Sequence, residues 1–140
     1  MESWFRRFLR LTAAAVFLFT AIELLLLEHT ETWIQWIAFS LCGIGLFASL
    51  NAMRRSDRPS VRLARWSGVL IIIGTIYGIV EHVLHNAELE LEFRPNAVWS
   101  DVFWISLMGA APLLASGILI FGALLLLAST KQVDQGPSYS

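Results

Sequence analysis

All three histidines of this 140-residue chain lie close to carboxylates in the sequence. Glu28 directly precedes His29. Glu81 directly precedes His82, and His85 follows within one helical turn. Imidazole and carboxylate groups together ligate zinc, iron or manganese, and they also take up and release protons. The pattern predicts a site for a divalent metal or for protons, built from these five residues.

The spacing of these residues matches no established catalytic or metal-binding motif. Glu81 and His85 are four residues apart, whereas ferritin-like bundles use Glu-x-x-His. A haem held by His29 and His82 is an alternative, but only Arg94 lies near enough in the sequence to pair with its propionates. The single cysteine, Cys42, excludes a CxxC motif, and no nucleophile-base triad or phosphate-binding loop is present. The sequence therefore favours a role other than catalysis.

The elements that must position these residues are membrane-spanning helices. The chain is 56% hydrophobic and 15% charged, and a soluble fold of this size could not bury so much apolar surface. A helix needs about 20 apolar residues to cross the hydrocarbon core. Four segments meet this length, and we expect an all-α, four-helix membrane bundle in one domain over residues 1–129. The predicted spans are 8–27, 33–52, 66–84 and 102–129.

The distribution of charge predicts which side each loop faces. All but one of the ten basic residues precede the first span, join the second to the third, or follow the fourth. Because cytoplasmic loops are enriched in arginine and lysine, both termini are predicted to be cytoplasmic. Most of the acidic residues lie in or near the two opposite loops. The first apolar run is too long for a typical signal peptide, so we interpret it as a retained anchor.

This topology brings the ends of the first and third spans to one face of the membrane. Glu23 lies about 7.5 Å deeper than Glu28, and Tyr77 lies one turn before Glu81 on the same helical stripe. Ionisable groups inside a membrane are costly and usually face the bundle interior. We therefore expect Glu23 and Tyr77 to surround the predicted ligands, at the outer ends of spans one and three.

Small residues predict where the helices approach each other most closely. Gly74 and Gly78 have GxxxG spacing, and Gly45 and Ser49 have the same spacing in the second span. Pro112 is expected to kink the fourth span. The alternating Glu-Leu segment 87–93 predicts a short extended strand, and the polar segment 130–140 predicts a disordered cytoplasmic tail.

The sequence thus predicts a multi-pass protein of a bacterial plasma (inner) membrane, in contact with lipid and not with nucleic acid. Its arginine-rich loop lacks the interleaved aromatic residues of nucleic-acid surfaces and suits anionic headgroups better. The leading functional hypothesis is a metal-binding or proton-binding site at the extracytoplasmic face. The alternatives are a non-catalytic subunit that packs against a membrane-protein partner or a second copy, and a haem-binding redox protein.

Overall fold

The computed structural model is all-α and describes residues 2–28, 33–108 and 113–131. Within these ranges the side chains of Glu2, Ile34 and residues 113–116 are not described. The helices are α1 (Glu2–Leu26), α2 (Trp33–Arg54), α3 (Arg58–Phe93), α4 (Trp99–Met108) and α5 (Leu113–Ala128).

Three of these helices are long and apolar enough to cross a membrane, namely α1, α2 and α3. The structure thus confirms the all-α fold, and its three long apolar helices could cross a membrane. The predicted fourth span, 102–129, corresponds to two shorter helices, α4 and α5. Pro112, the expected kink, falls between them and lies outside the described residues.

The helices pack around a ring in which α1 and α3 occupy opposite corners. α1 contacts α2 and α5, while α3 contacts α2, α4 and α5; α1 and α3 make at most a marginal contact within the described ranges. Helices α1 and α2 run antiparallel, because Arg10 near the start of α1 reaches Ala52 near the end of α2. Helices α3 and α5 do the same, because Arg65 near the start of α3 reaches Thr130 just after α5. The bundle therefore has a basic end and an acidic end. The described basic end carries Arg6, Arg7, Arg10, Arg54, Arg55, Arg58, Arg62, Arg65 and Lys131, and the described acidic end carries Glu28, Glu88, Glu90, Glu92 and Asp101.

At the centre of the bundle, one aromatic ring of α1 packs between a glycine of α2 and a glycine of α5. Phe17 of α1 is fully buried. A Cβ added to Gly45 of α2 would lie 2.6 Å from its ring, and one added to Gly122 of α5 would lie 3.1 Å from it. Because the glycines have no side chain, α2 and α5 both approach α1 closely around the ring.

The contacts of α3 repeat this packing of a large residue on a glycine. Leu41 of α2 packs on Gly74, and Leu127 of α5 packs on Gly68; a Cβ at these glycines would come within 2.9 Å and 2.7 Å of the leucine side chains. Gly78 is different, because a Cβ there would meet nothing within 4 Å. Of the GxxxG pair in α3, only Gly74 serves helix packing.

Two arginines at the basic end satisfy carbonyl groups that a helix leaves without partners at its C-terminus. Arg10 of α1 is buried and donates hydrogen bonds to the Ala52 carbonyl and to Ser56 Oγ. Arg65 of α3 donates from Nη2 to the Thr130 carbonyl at 2.9 Å and from Nε to Thr130 Oγ1 at 3.2 Å. Thr130 is buried, and residues 132–140 of the predicted tail lie outside the described part.

The N-terminus of α3 is fixed by a capping aspartate. Asp57 has extended backbone angles, and its carboxylate accepts a hydrogen bond from the Ser60 amide at 3.0 Å. Hydrogen bonds from the Ser60 side chain and backbone lower the pKa of Asp57. The cap therefore keeps its charge at neutral pH and is lost only as the pH falls through that lowered pKa.

The extended strand predicted for segment 87–93 is wrong, because α3 continues through Phe93. Alanine, glutamate and leucine all favour helix, and their propensity outweighs the two-residue alternation. The last turn is held by Arg94, which pairs with Glu90 four residues earlier. With 36 residues, α3 is about 54 Å long and exceeds the hydrocarbon core by about 24 Å.

Candidate functional site

The continuous helix places five polar residues on one stripe of α3. They recur every three or four residues, the spacing of one helical face, and the stripe rises about 22 Å from its first to its last member. Four are exposed and Glu81 is half-buried. We call this set the polar stripe: Tyr77, Glu81, His85, Glu88 and Glu92.

The inner end of the polar stripe is a hydrogen-bonded pair. The Tyr77 hydroxyl shares a side-chain hydrogen bond with the Glu81 carboxylate. A phenol donates to an ionised carboxylate and accepts from a protonated one. Tyr77 can therefore form this hydrogen bond whether the Glu81 carboxyl group is ionised or protonated. From this pair the stripe continues outward through His85 to the two glutamates at the acidic end.

The other histidine of α3, His82, faces a different side of the helix. It is half-buried and lines a crevice between α2, α3 and α5. Nearby, the Asn86 amide donates to the Ser106 carbonyl at 3.0 Å and ties α4 to the outer part of α3. His82 and His85, predicted to act together, therefore point toward different surroundings.

The predicted ligands from the first span do not join those of α3 within the described residues. Glu28 is exposed, follows the end of α1 and has a left-handed backbone with φ of 53°. His29 lies outside the described residues. Because α1 and α3 occupy opposite corners of the ring, the shared face predicted from topology does not make their ends neighbours.

Glu23 was expected to face the bundle interior, and this expectation is wrong. Its side chain is exposed, whereas Thr20 and Leu24 are buried and form the inward face of α1 at this level. The carboxylate therefore lies at the outer surface of the bundle.

A metal site is not supported by the described geometry. Within ranges 2–28, 33–108 and 113–131, no three histidine, cysteine, aspartate or glutamate side chains are grouped so that they could hold an ion. The full predicted set includes His29 and stays a prediction, as does a haem between His29 and His82.

The sequence did not predict the crevice beside α3. It has a volume of about 50 Å³. Its described lining combines apolar side chains from α2 and α5 with four polar ones: Gln35, Thr75, Tyr77 and His82. One sequence signal pointed to Thr75: it follows Arg65 by ten residues, as Thr20 follows Arg10. Both threonines are buried and both arginines cap a neighbouring helix.

Comparisons of the chain with protein-family models, with curated proteins and with solved structures gave no match.

Proposed function

We propose that this protein is a four-span membrane protein that binds protons at Glu81, through a polar stripe that faces the extracytoplasmic side. The observation that carries the proposal is the alignment of Tyr77, Glu81, His85, Glu88 and Glu92 on one face of α3, with Tyr77 bonded to Glu81. Such a protein responds to external pH as a sensor or as a proton-coupled carrier.

The proposed topology places both termini in the cytoplasm. Its support is the separation of charge between the ends of the bundle, since arginine-rich ends face the cytoplasm. In this arrangement α4 and α5 together form the fourth crossing. Glu81 then lies in the outer leaflet, while Glu88 and Glu92 extend into the external solvent.

The test follows the protonation of Glu81 directly. Infrared difference spectra of the protein in lipid vesicles, recorded across a pH titration, report the carboxylic-acid C=O stretch. We expect a pH-dependent band that disappears in Glu81→Gln and shifts in Tyr77→Phe, because the phenol bonds the same carboxyl group. Glu90→Gln is the matched control: it is on the same helix but off the stripe and paired with Arg94. Identical spectra for wild type and Glu81→Gln would refute the proposal.

A divalent cation is the other ligand that a row of carboxylates and an imidazole attracts. Elemental analysis of the purified protein separates the two cases. Proton binding predicts no stoichiometric metal. A metal that is present in the wild-type protein and lost in Glu81→Ala would show that the ligand is a metal ion and not a proton.

A second candidate function is that of a non-catalytic subunit that docks on a membrane partner or a second copy. The observation that favours it is on the outer face of α2, where exposed residues recur at Trp36, Ser40, Gly43, Phe47 and Leu50. A Cβ at Gly43 would meet nothing within 4 Å, so this glycine leaves a gap in the middle of an otherwise bulky face. Another helix fits such a gap closely.

A further inference from the structure

The crevice between α2, α3 and α5 reaches from the acidic end of the bundle to its middle. Leu41 and Gly74 pack on each other near the centre of the bundle, and both line its inner part. Gln35 and His82 line its outer part, near the start of α2 and the outer half of α3. The two levels on α3 are about 12 Å apart along the helix.

Thr75 gives the crevice a polar group at its inner part. The side chain is only 3% exposed, and among the described residues its hydroxyl has no hydrogen-bond partner. Thr20, at the corresponding position of α1, instead donates to the Val16 carbonyl at 2.9 Å. A buried hydroxyl without a partner costs free energy, and such groups usually bond another protein group or an ordered water.

The other lining residues decide what kind of molecule fits. The described lining contains amide, hydroxyl, phenol and imidazole groups, and it contains no carboxylate, lysine or arginine. An ion entering this space would lose its hydration without gaining an opposite charge. A volume of about 50 Å³ exceeds the space that one water needs, about 10–15 Å³. The lining thus suits a small uncharged molecule that forms hydrogen bonds.

Gly78 lies on α3 between the residues that line the inner and the outer parts of the crevice. This glycine lines the crevice, and a Cβ at this position would meet nothing within 4 Å. Tyr77 beside it is 43% exposed. Gly78 therefore keeps open a space that a larger residue would narrow without disturbing the packing of the bundle.

We infer that this crevice is a binding site for a small neutral hydrogen-bonding molecule, which enters from the aqueous phase at the acidic end and bonds the Thr75 hydroxyl. The inference goes beyond proton binding at Glu81, since Glu81 is not among the described lining residues.

The first experiment measures access to position 75. Thr75→Cys, in a Cys42→Ala background, is treated in vesicles with 2-hydroxyethyl methanethiosulfonate on one side and free cysteine as a quencher on the other. Ser100→Cys, which is exposed at the acidic end, defines the side on which that end lies. We expect Thr75→Cys to be labelled from that same side.

Two variants make the labelling result specific to the crevice. Ser67→Cys replaces another buried hydroxyl of α3 that is not in the described lining, and we expect it to remain unlabelled. Gly78→Leu, added to Thr75→Cys, is expected to abolish the labelling of position 75. The inference is overturned if Thr75→Cys is unlabelled, if it is labelled from the opposite side, or if Gly78→Leu leaves its labelling unchanged.

The second experiment tests the class of ligand with two probes of nearly equal shape. Acetamide is neutral and forms hydrogen bonds, whereas acetate is charged. Acetamide is expected to slow the labelling of Thr75→Cys in a concentration-dependent way, and acetate is expected to have no effect. Equal effects of the two probes, or no effect of acetamide, would contradict the assignment of a neutral ligand.

Discussion

Arg10 shows how a single side chain can serve two purposes in this molecule. Its charge contributes to the basic end of the bundle, and at the level of the sequence this charge served only to predict topology. In the structure its guanidinium is buried and bonds the Ala52 carbonyl at the end of α2. Arg65 does the same for the end of α5. Helices α1 and α3 thus each supply a cation to the C-terminus of an antiparallel neighbour, where the helix dipole favours positive charge.

At this scale we expect Arg10→Met to destabilise the folded protein by about 1.5–3 kcal/mol, because a buried carbonyl loses a charged hydrogen-bond donor. Arg7→Met is the matched control, since it removes the same charge from an exposed position nearby. Unfolding of both variants in mixed micelles measures the free energies. Equal losses in the two variants would mean that the contribution of Arg10 is its charge alone.

Helix α3 shows which local signals in the sequence were reliable. Its apolar centre and its capping Asp57 agree with a helix, and the predicted span 66–84 lies within it. Segment 87–93 alternates like a strand, yet it is helical, because helix propensity and the preceding turns extend the helix. The error affected the candidate site: a strand puts Glu88, Glu90 and Glu92 on one side, whereas the helix aligns Glu88 and Glu92 with Glu81.

Gly43 of α2 allows a test of the proposed docking role. Gly43→Leu adds a side chain where the bundle has open space, so we expect the fold to be kept and the association with a partner or second copy to be lost. Light scattering in mild detergent then gives the mass of one 15.7 kDa chain for the variant and a larger mass for wild type.

Gly117→Leu is the control for this test, because Gly117 is an exposed glycine of α5 that also has open space around it. The control is expected to associate as wild type does. If Gly43→Leu keeps the wild-type mass, the outer face of α2 is not the docking surface.

The whole molecule could be predicted from the sequence only in outline. Apolar length and charge distribution predicted helices, spans and two chemically different ends, because the bilayer imposes these features on each segment separately. Which helices are neighbours depends on packing, and sequence spacing does not report it. The sequence-based prediction placed Glu28 and Glu81 in one site, whereas their helices, α1 and α3, lie at opposite corners of the ring. The crevice was missed for the same reason, since it exists only between three packed helices.

The central claim at this scale is that the acidic end, with the polar stripe of α3, is extracytoplasmic and that α4 and α5 together complete a fourth crossing. The most direct measurement is labelling of single cysteines in intact cells with a membrane-impermeant maleimide, using Ser100→Cys and Lys131→Cys in the Cys42→Ala background. We expect Ser100→Cys to be labelled in intact cells and Lys131→Cys to be labelled only after the membrane is permeabilised. Labelling of both positions from the same side would contradict the fourth crossing, and the reverse pattern would place the polar stripe in the cytoplasm.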